Sequence, residues 1–178
     1  LVSTMISTRC SVTDSGIQGL ARQFSLALTG IQIDAIYHTS VVVANVEYFF
    51  GQGIQRKIPG STHHGKPMEI IRIGRTDLPT DVIQEYIDSL AVIYTTESYD
   101  LFLHNCNNFS QDLSMFLVGK DIPEHIRSLP HRFLETPIGQ MMRTQIDQSM
   151  RQMTQAPDAD MPLGASKNGM NGTTLTNG

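Results

Sequence analysis

The hydrophobic pattern of this chain changes period near residue 79, and that change constrains its fold more than any other feature. Before it lie short runs rich in β-branched and aromatic residues, bounded by Gly, Asn or Pro, at 37–43, 47–50 and 69–73. After it, apolar residues recur at helical spacing. Strand-like segments followed by helical ones predict an α+β domain, in which a small antiparallel sheet packs with helices.

The second half of the chain is predicted to contain two main helices. The first runs over 79–94, and a short extended piece, Tyr99 to Leu103, follows it. The second begins at Asn105 or Cys106 and ends at Gly119, which suits a helix C-cap. Short helices at 123–129 and 130–136 then precede a longer, Met- and Gln-rich one at 137–153. One stripe of the second helix carries Cys106, Phe109, Leu113, Phe116 and Leu117.

The two ends of the chain differ from its middle. Residues 1–15 are rich in Ser and Thr and are predicted to hold one short strand, and a helix is predicted over 16–28. Residues 155–178 contain no aromatic side chain, so they cannot bury enough apolar surface to offset ordering and are predicted to be a tail or linker. We therefore expect a divergent or truncated N-terminal segment (1–15), one folded domain (16–153) and a disordered tail or linker (154–178). The start at Leu1, not Met, predicts a fragment or a processed product.

Composition argues against several classes of protein. The net charge is −4, whereas a nucleic-acid-binding domain usually presents a basic face. No apolar run approaches the length of a membrane span. Two cysteines, Cys10 and Cys106, are too few for a disulfide framework, and no secretory signal pattern is present. We expect a reducing compartment, the cytoplasm or the nucleus or both.

Cys106 is the first candidate for chemistry. Asn105 is a good N-cap, which would place Cys106 in the first turn of a helix. Backbone N–H groups and the helix dipole there favour a thiolate, and the same N–H groups could hold an oxyanion. The alternative is that Cys106 is a small apolar side chain on the core-facing stripe, because free cysteines are among the most buried residues.

A cysteine nucleophile needs a base, and the chain has six histidines. His104 is expected to point elsewhere, and His125 and His131 to lie on the surface. His63 and His64 fall in a polar loop, where we expect them to be solvated, although a metal pair would also be compatible with them. His38 differs from these, because it opens the strand-like run Ile36 to Val43 and could face a cysteine at a helix N-terminus.

Three motifs in this order resemble the PPPDE family of thiol peptidases, whose best-known members are deSUMOylating isopeptidases. They are Tyr37-His38-Thr39-Ser40-Val41-Val42-Val43, Glu47-Tyr48-Phe49-Phe50-Gly51-Gln52-Gly53-Ile54, and His104-Asn105-Cys106-Asn107-Asn108-Phe109-Ser110. Shorter matches lie at 19–22, 122–123 and 136–140, so that the resemblance covers residues 16 to 142.

The resemblance implies a permuted papain-like cysteine peptidase fold with a catalytic dyad of His38 and Cys106. It implies an isopeptidase that cleaves the bond between the C-terminal glycine of a ubiquitin-like modifier and a substrate lysine. The partners would be SUMO- or ubiquitin-conjugated proteins, a homodimer is one expected state, and neither a metal nor an organic cofactor is implied. Glu47, Tyr48 and Gln52 are candidates for orienting the imidazole, although Tyr48 and Phe50 suit the core better.

One departure from the family stands out, and two other functions stay open. Family members begin with a hydrophobic strand where this chain has residues 7–14, which we expect to be too polar for a buried central strand. A protein S-acyl thioesterase could use the same dyad, with an apolar channel beside Cys106. A catalytically inactive binding module is the third hypothesis. Candidates for lining that channel are Phe49, Phe50, Phe102 and Phe109.

Overall fold

The computed structural model of the protein describes residues 2–10, 37–64 and 67–154. Its strands are β1 (Val2–Cys10), β2 (Tyr37–Val43), β3 (Val46–Gly51), β4 (Gly53–Lys57) and β5 (Glu69–Thr76). Its helices are α1 (Thr80–Leu90), α2 (Cys106–Val118), α3 (Glu124–Arg127), α4 (Leu129–Leu134) and α5 (Pro137–Thr154). The predicted helix over 16–28 and the tail over 155–178 lie outside the described residues, and the proposed boundary near residue 153 stays a prediction.

The five strands form one antiparallel sheet in the order β4-β3-β2-β1-β5. β2 and β3 are joined by Ala44 and Asn45, whose φ angles are 50° and 60°. Positive φ at both positions gives the two-residue turn whose twist matches that of the flanking strands. The predicted α+β class is confirmed, and the strands expected at 37–43, 47–50 and 69–73 are all present. The permuted papain-like detail stays a prediction.

β1 lies inside the sheet, paired with β2 on one side and β5 on the other. Ser7 and Thr8 each have a partner on both neighbouring strands. The expectation that this stretch is too polar for a central strand is therefore wrong for these residues. β-branched Thr suits a pleated strand, and backbone pairing does not depend on side-chain polarity. The single strand predicted within residues 1–15 is confirmed.

Helix α2 lies across one face of the sheet, which we call the core face. It packs against β2, β3, β5 and β1, and Val118 near its C-terminus approaches Gly74 of β5 so closely that a Cβ there would lie 3.1 Å from Val118 Cγ1. Gly119 then ends the helix with φ of 63°. The largest fully buried core side chains are Tyr99, Phe50, Phe109, Ile87, Leu113, Ile122 and Ile126.

Two local predictions differ from the structure. β4 was not predicted, because 53–57 has no strand pattern of its own and forms by pairing with β3 across a tight turn. The piece expected to be extended, Tyr99 to Leu103, is a turn. Asp100 causes it, because its Oδ1 accepts hydrogen bonds from the N–H groups of Phe102 and Leu103 at 2.9 and 3.0 Å.

Replacement of Phe109 by Ala should destabilise the fold strongly, because this ring is fully buried between sheet and helices. We expect a loss of about 3–5 kcal/mol in the free energy of unfolding, measured by chemical denaturation. The matched control is Phe116→Ala on the same helix, where the ring is half-buried and stacks on Tyr86 at 3.7 Å. Equal losses in the two variants would contradict this description of the core.

Candidate active site

Cys106 is the first residue of α2, as the sequence predicts. The N-cap is Asn105, whose side-chain oxygen accepts a hydrogen bond from Asn107 N at 2.8 Å. In return, the side chain of Asn108 accepts one from Asn105 N at 2.9 Å, which completes a capping box. The helix therefore begins at a fixed residue, and the Cys106 sulfur has a defined position.

The thiol is buried against Thr39 of β2. The backbone and the hydroxyl of Thr39 favour the thiolate form of Cys106, together with the backbone N–H groups of Cys106 and Asn107, and so act to lower the pKa of the thiol. The thiol itself donates to Asn107 Oδ1 at 3.7 Å. Thr39 Oγ1 also lies 2.9 Å from Asn107 Oδ1 and 2.9 Å from Ser110 Oγ. A buried group of polar side chains thus surrounds the sulfur.

Burial raises the pKa of the Cys106 thiol, although the surrounding donors oppose that effect. The donors at the helix N-terminus act to lower the pKa of the thiol, as the sequence suggests. Burial raises that pKa by more, so the net shift is upward and the lowered pKa that we expected is wrong. The thiol is 4% exposed, and loss of solvation outweighs the donors. This environment therefore favours the neutral thiol over a resting thiolate.

His38 lies on the other face of β2, which we call the histidine face. Neighbouring strand residues point to opposite faces, so His38 and Thr39 point in opposite directions. The His38 ring is 2% exposed, stacks on His64 with ring centroids 3.6 Å apart, and meets Phe49 edge-on at 5.5 Å. The structure therefore brings Cys106 to Thr39, the residue next to His38, and the dyad itself stays a prediction.

Of the three candidates for orienting the imidazole, only Glu47 shares the histidine face. It is fully buried and accepts hydrogen bonds from Ser40 Oγ at 2.5 Å and from Gly60 N at 2.7 Å. Tyr48 lies in the core, as the sequence suggests, where burial raises the pKa of its hydroxyl. Gln52 lies in the β3–β4 turn, where its carbonyl accepts from Gln55 Nε2.

The remaining histidines lie in three different surroundings. His104 stacks on Tyr94 and bonds through Nδ1 to Ser98 O at 2.9 Å, so it points away from the sulfur as expected. His125 and His131 are exposed, which confirms their prediction. The expectation that His64 is solvated is wrong, because it is half-buried between His38 and the exposed His63. The β4–β5 connection carries it across the histidine face.

An apolar cavity of about 100 Å³ adjoins Cys106. Phe102 lines it, but the other three phenylalanines proposed for a channel do not. Phe50 and Phe109 are core residues, and Phe49 lies on the histidine face against His38. Several of the cavity's other lining residues come instead from the short helices α3 and α4, which follow α2. Its lining comprises Tyr37, Leu101, Phe102, Asn105, Cys106, Asn107, Ile126, Leu129, Pro130, Phe133 and Ile146.

Residues 9–147 match the family model described as "PPPDE putative peptidase domain". The chain belongs to the PPPDE family. Similar curated proteins are named "Desumoylating isopeptidase 1": the Xenopus laevis protein is 42% identical over 132 residues, which is 73% of this chain and 78% of that protein. The Rattus norvegicus and Homo sapiens proteins are each 39% identical over 151 residues, which is 84% of this chain and 90% of each relative. This PPPDE protein is a hydrolase of the cysteine peptidase type.

Two further observations concern residues 2–10, 37–64 and 67–154. Within these ranges no helix combines the length and apolarity that crossing a bilayer requires. The same part of the chain holds no group of three or more His, Cys, Asp or Glu side chains placed to bind a metal ion.

Sequence reasoning missed Thr39, Asn107 and Ser110. All three stand inside the quoted family motifs, but they were not considered as site residues. Spacing alone could have found Ser110, because it lies four residues after Cys106 and so falls on the buried stripe of α2. Thr39 could have been found from strand alternation, which places it on the same face as Val41 and Val43.

Alkylation of Cys106 should have a pH midpoint above that of an ordinary cysteine, because burial raises the pKa of the native thiol. In urea the ordinary pKa returns, so the unfolded chain should react faster at neutral pH. Since the native pKa exceeds the unfolded one, the neutral thiol stabilises the fold below the unfolded pKa, and this contribution is lost as pH rises through the native pKa.

The rate of alkylation by iodoacetamide as a function of pH, read by intact mass in a Cys10→Ser background, measures this midpoint. A native midpoint below that of the unfolded chain would show that the donors outweigh burial.

Proposed function

We propose that this protein is a cysteine isopeptidase that releases SUMO, or a related ubiquitin-like modifier, from substrate lysines. Cys106 would be the nucleophile and His38 the general base. The observation that carries the proposal is the position of Cys106 in the capped first turn of α2, with an apolar cavity beside it. The names of the relatives support the modifier, and the quoted motifs support the dyad.

The reaction would proceed in two halves. His38 takes the thiol proton while the sulfur attacks the carbonyl of the modifier's C-terminal glycine. The N–H groups at the start of α2 stabilise the oxyanion, and His38 returns the proton to the leaving lysine amine. A water, deprotonated by His38, then hydrolyses the thioester and restores the Cys106 thiol.

The proposal includes a movement of His38. Its ring must leave the stack with His64 and reach the Thr39 side of β2 to accept the thiol proton. His38 is the second residue of that strand, so the movement involves the end of the strand and leaves its centre in place. Reducing compartments keep free thiols reduced, so we include a cytoplasmic or nuclear location in this proposal.

Electrophilic probes made from SUMO and from ubiquitin test the proposal. The folded wild type should form a covalent adduct with at least one probe, and Cys106→Ala should form none. His38→Gln should label at least about 100-fold more slowly, because the base is lost. His131→Gln, which changes an exposed histidine, is the matched control and should label normally. Intact mass gives the adduct, and circular dichroism confirms folding.

An absence of adduct from the folded wild type with both probes would contradict the isopeptidase proposal and favour the inactive binding module. A His38→Gln variant that labels like the wild type would leave Cys106 as nucleophile but remove His38 as its base.

A second candidate, a protein S-acyl thioesterase, is favoured by the apolar cavity beside the sulfur. Acyl chains need such a lining, whereas a Gly-Gly tail does not. Leu129→Phe should reduce the hydrolysis of a long-chain acyl thioester at least several-fold while a short-chain thioester is still cleaved, because the larger ring occupies the cavity.

The control for this prediction is Leu134→Phe, which makes the same change on the same short helix outside the residues that line the cavity. Hydrolysis rates for acyl chains of increasing length measure the effect. Equal loss for short and long chains, or no hydrolysis by the wild type, would contradict the thioesterase.

A further inference from the structure

Thr39 presents a hydroxyl to the reactive sulfur from inside the protein. The side chain is fully buried on the core face of β2, and its contacts are with the first two turns of α2. Oγ1 lies 2.9 Å from both Asn107 Oδ1 and Ser110 Oγ, and Asn107 Oδ1 in turn lies 3.7 Å from the Cys106 sulfur, whose thiolate the hydroxyl favours. A hydroxyl that shares an acceptor with the thiol and has no access to water can turn only between these neighbours.

The positions of the Thr39 hydroxyl proton and the Cys106 thiol proton determine how these contacts can change during reaction. The hydroxyl of Thr39 has one proton for three acceptors, whereas the neutral thiol donates its own proton to Asn107 Oδ1. Once the thiol proton has left, the sulfur can only accept. The Ser110 hydroxyl can then donate to Thr39 Oγ1, so that Thr39 stays hydrogen-bonded while its own proton turns to the sulfur.

We propose that Thr39 is a catalytic residue of this site, whose hydroxyl donates a hydrogen bond to the Cys106 thiolate formed during attack. This inference rests on the proposed role of Cys106 as nucleophile. Asn107 is the positioning residue, because its side chain holds Thr39 through Oδ1 and is itself fixed through Nδ2, which donates to Ile126 O at 3.2 Å. The pair thus links β2, α2 and α3 at the sulfur.

The hydroxyl adds something that the backbone donors do not. The backbone N–H groups keep one orientation in both protonation states, and that of Asn107 already donates to Asn105 Oδ1 at 2.8 Å. The hydroxyl can rotate between the Asn107 oxygen and the sulfur. It therefore favours the thiolate without holding the neutral thiol in place, and hydrogen bonds to an ionised acceptor are the stronger kind.

The test is the pH dependence of Cys106 alkylation in chains that carry Cys10→Ser, so that Cys106 is the single thiol. Thr39→Val keeps the shape, the strand propensity and the backbone N–H but removes the hydroxyl. We expect its alkylation midpoint to move up by about one pH unit, with a roughly tenfold lower rate at neutral pH. Thr39→Ser, which keeps the hydroxyl, should stay near the wild type.

The matched control is Ser114→Ala. This residue is equally buried on the same helix, but its hydroxyl donates to Lys120 O, away from the sulfur. Its alkylation midpoint should not move. A general loosening of the core would instead change Thr39→Val and Ser114→Ala alike, which would overturn the proposal, as would a Thr39→Val midpoint equal to that of the wild type.

A measurement on the wild type covers the case in which Thr39→Val fails to fold. In a pH titration followed by nuclear magnetic resonance, the hydroxyl-bearing Thr39 side chain should shift with the same midpoint as the Cys106 amide. A Thr39 side-chain signal that stays constant through that midpoint would overturn the proposal. Alkylation needs no modifier, so these results do not depend on labelling by the SUMO or ubiquitin probes. Failure of the Thr39 proposal can therefore be distinguished from failure of the isopeptidase proposal.

Discussion

The buried polar contact between β2 and the start of α2 fixes the position of Cys106, the proposed nucleophile. Thr39, Asn107 and Ser110 meet there without access to water. A buried polar group that loses its partner costs about 1–3 kcal/mol, so α2 cannot slide or rotate against β2 without penalty. Apolar packing by Phe109 and Leu113 holds the helix on the sheet, whereas the polar contact fixes its register and hence the position of Cys106.

The same burial that fixes the sulfur also makes it less acidic. Loss of solvation opposes the helix N-terminus and has the larger effect, so the neutral thiol of Cys106 is favoured. The imidazole that would receive its proton stacks with His64 on the opposite face of the same strand. Alternation along β2 therefore directs His38 and Thr39, the neighbour of Cys106, to opposite faces of the sheet.

Much of this arrangement was predictable because it follows from local patterns. The strand at 37–43 and the helix from Cys106 to Gly119 carry strong periodicity together with a good N-cap and C-cap. β4 was not predictable in this way, because its residues form a strand only by pairing with β3. The turn after Tyr99 depends on one carboxylate, and β1 forms by pairing on both sides in spite of its polar sequence. Periodicity detects neither tertiary pairing nor single hydrogen bonds.

The candidate dyad came from the sequence and stays a prediction, whereas the surroundings of its two residues could not be predicted. Motif resemblance selected His38 and Cys106, and alternation along β2 could have shown that His38 and Thr39 point to opposite faces. It could not have shown that the β4–β5 connection places His64 against His38, since a polar loop has no period that would indicate where it packs.

Glu47 has a consequence for how the histidine face can open. Its carboxylate is sealed from water and accepts one hydrogen bond from Ser40 of β2 and another from Gly60 of the β4–β5 connection. Lifting Gly60 removes a donor from a buried charge, so the connection cannot peel away gradually. It should instead separate from the sheet as one cooperative unit, carrying His63 and His64 with it. Exposure of the His38 ring would then require local unfolding of this loop, during which the buried Glu47 carboxylate loses its hydrogen bond from Gly60.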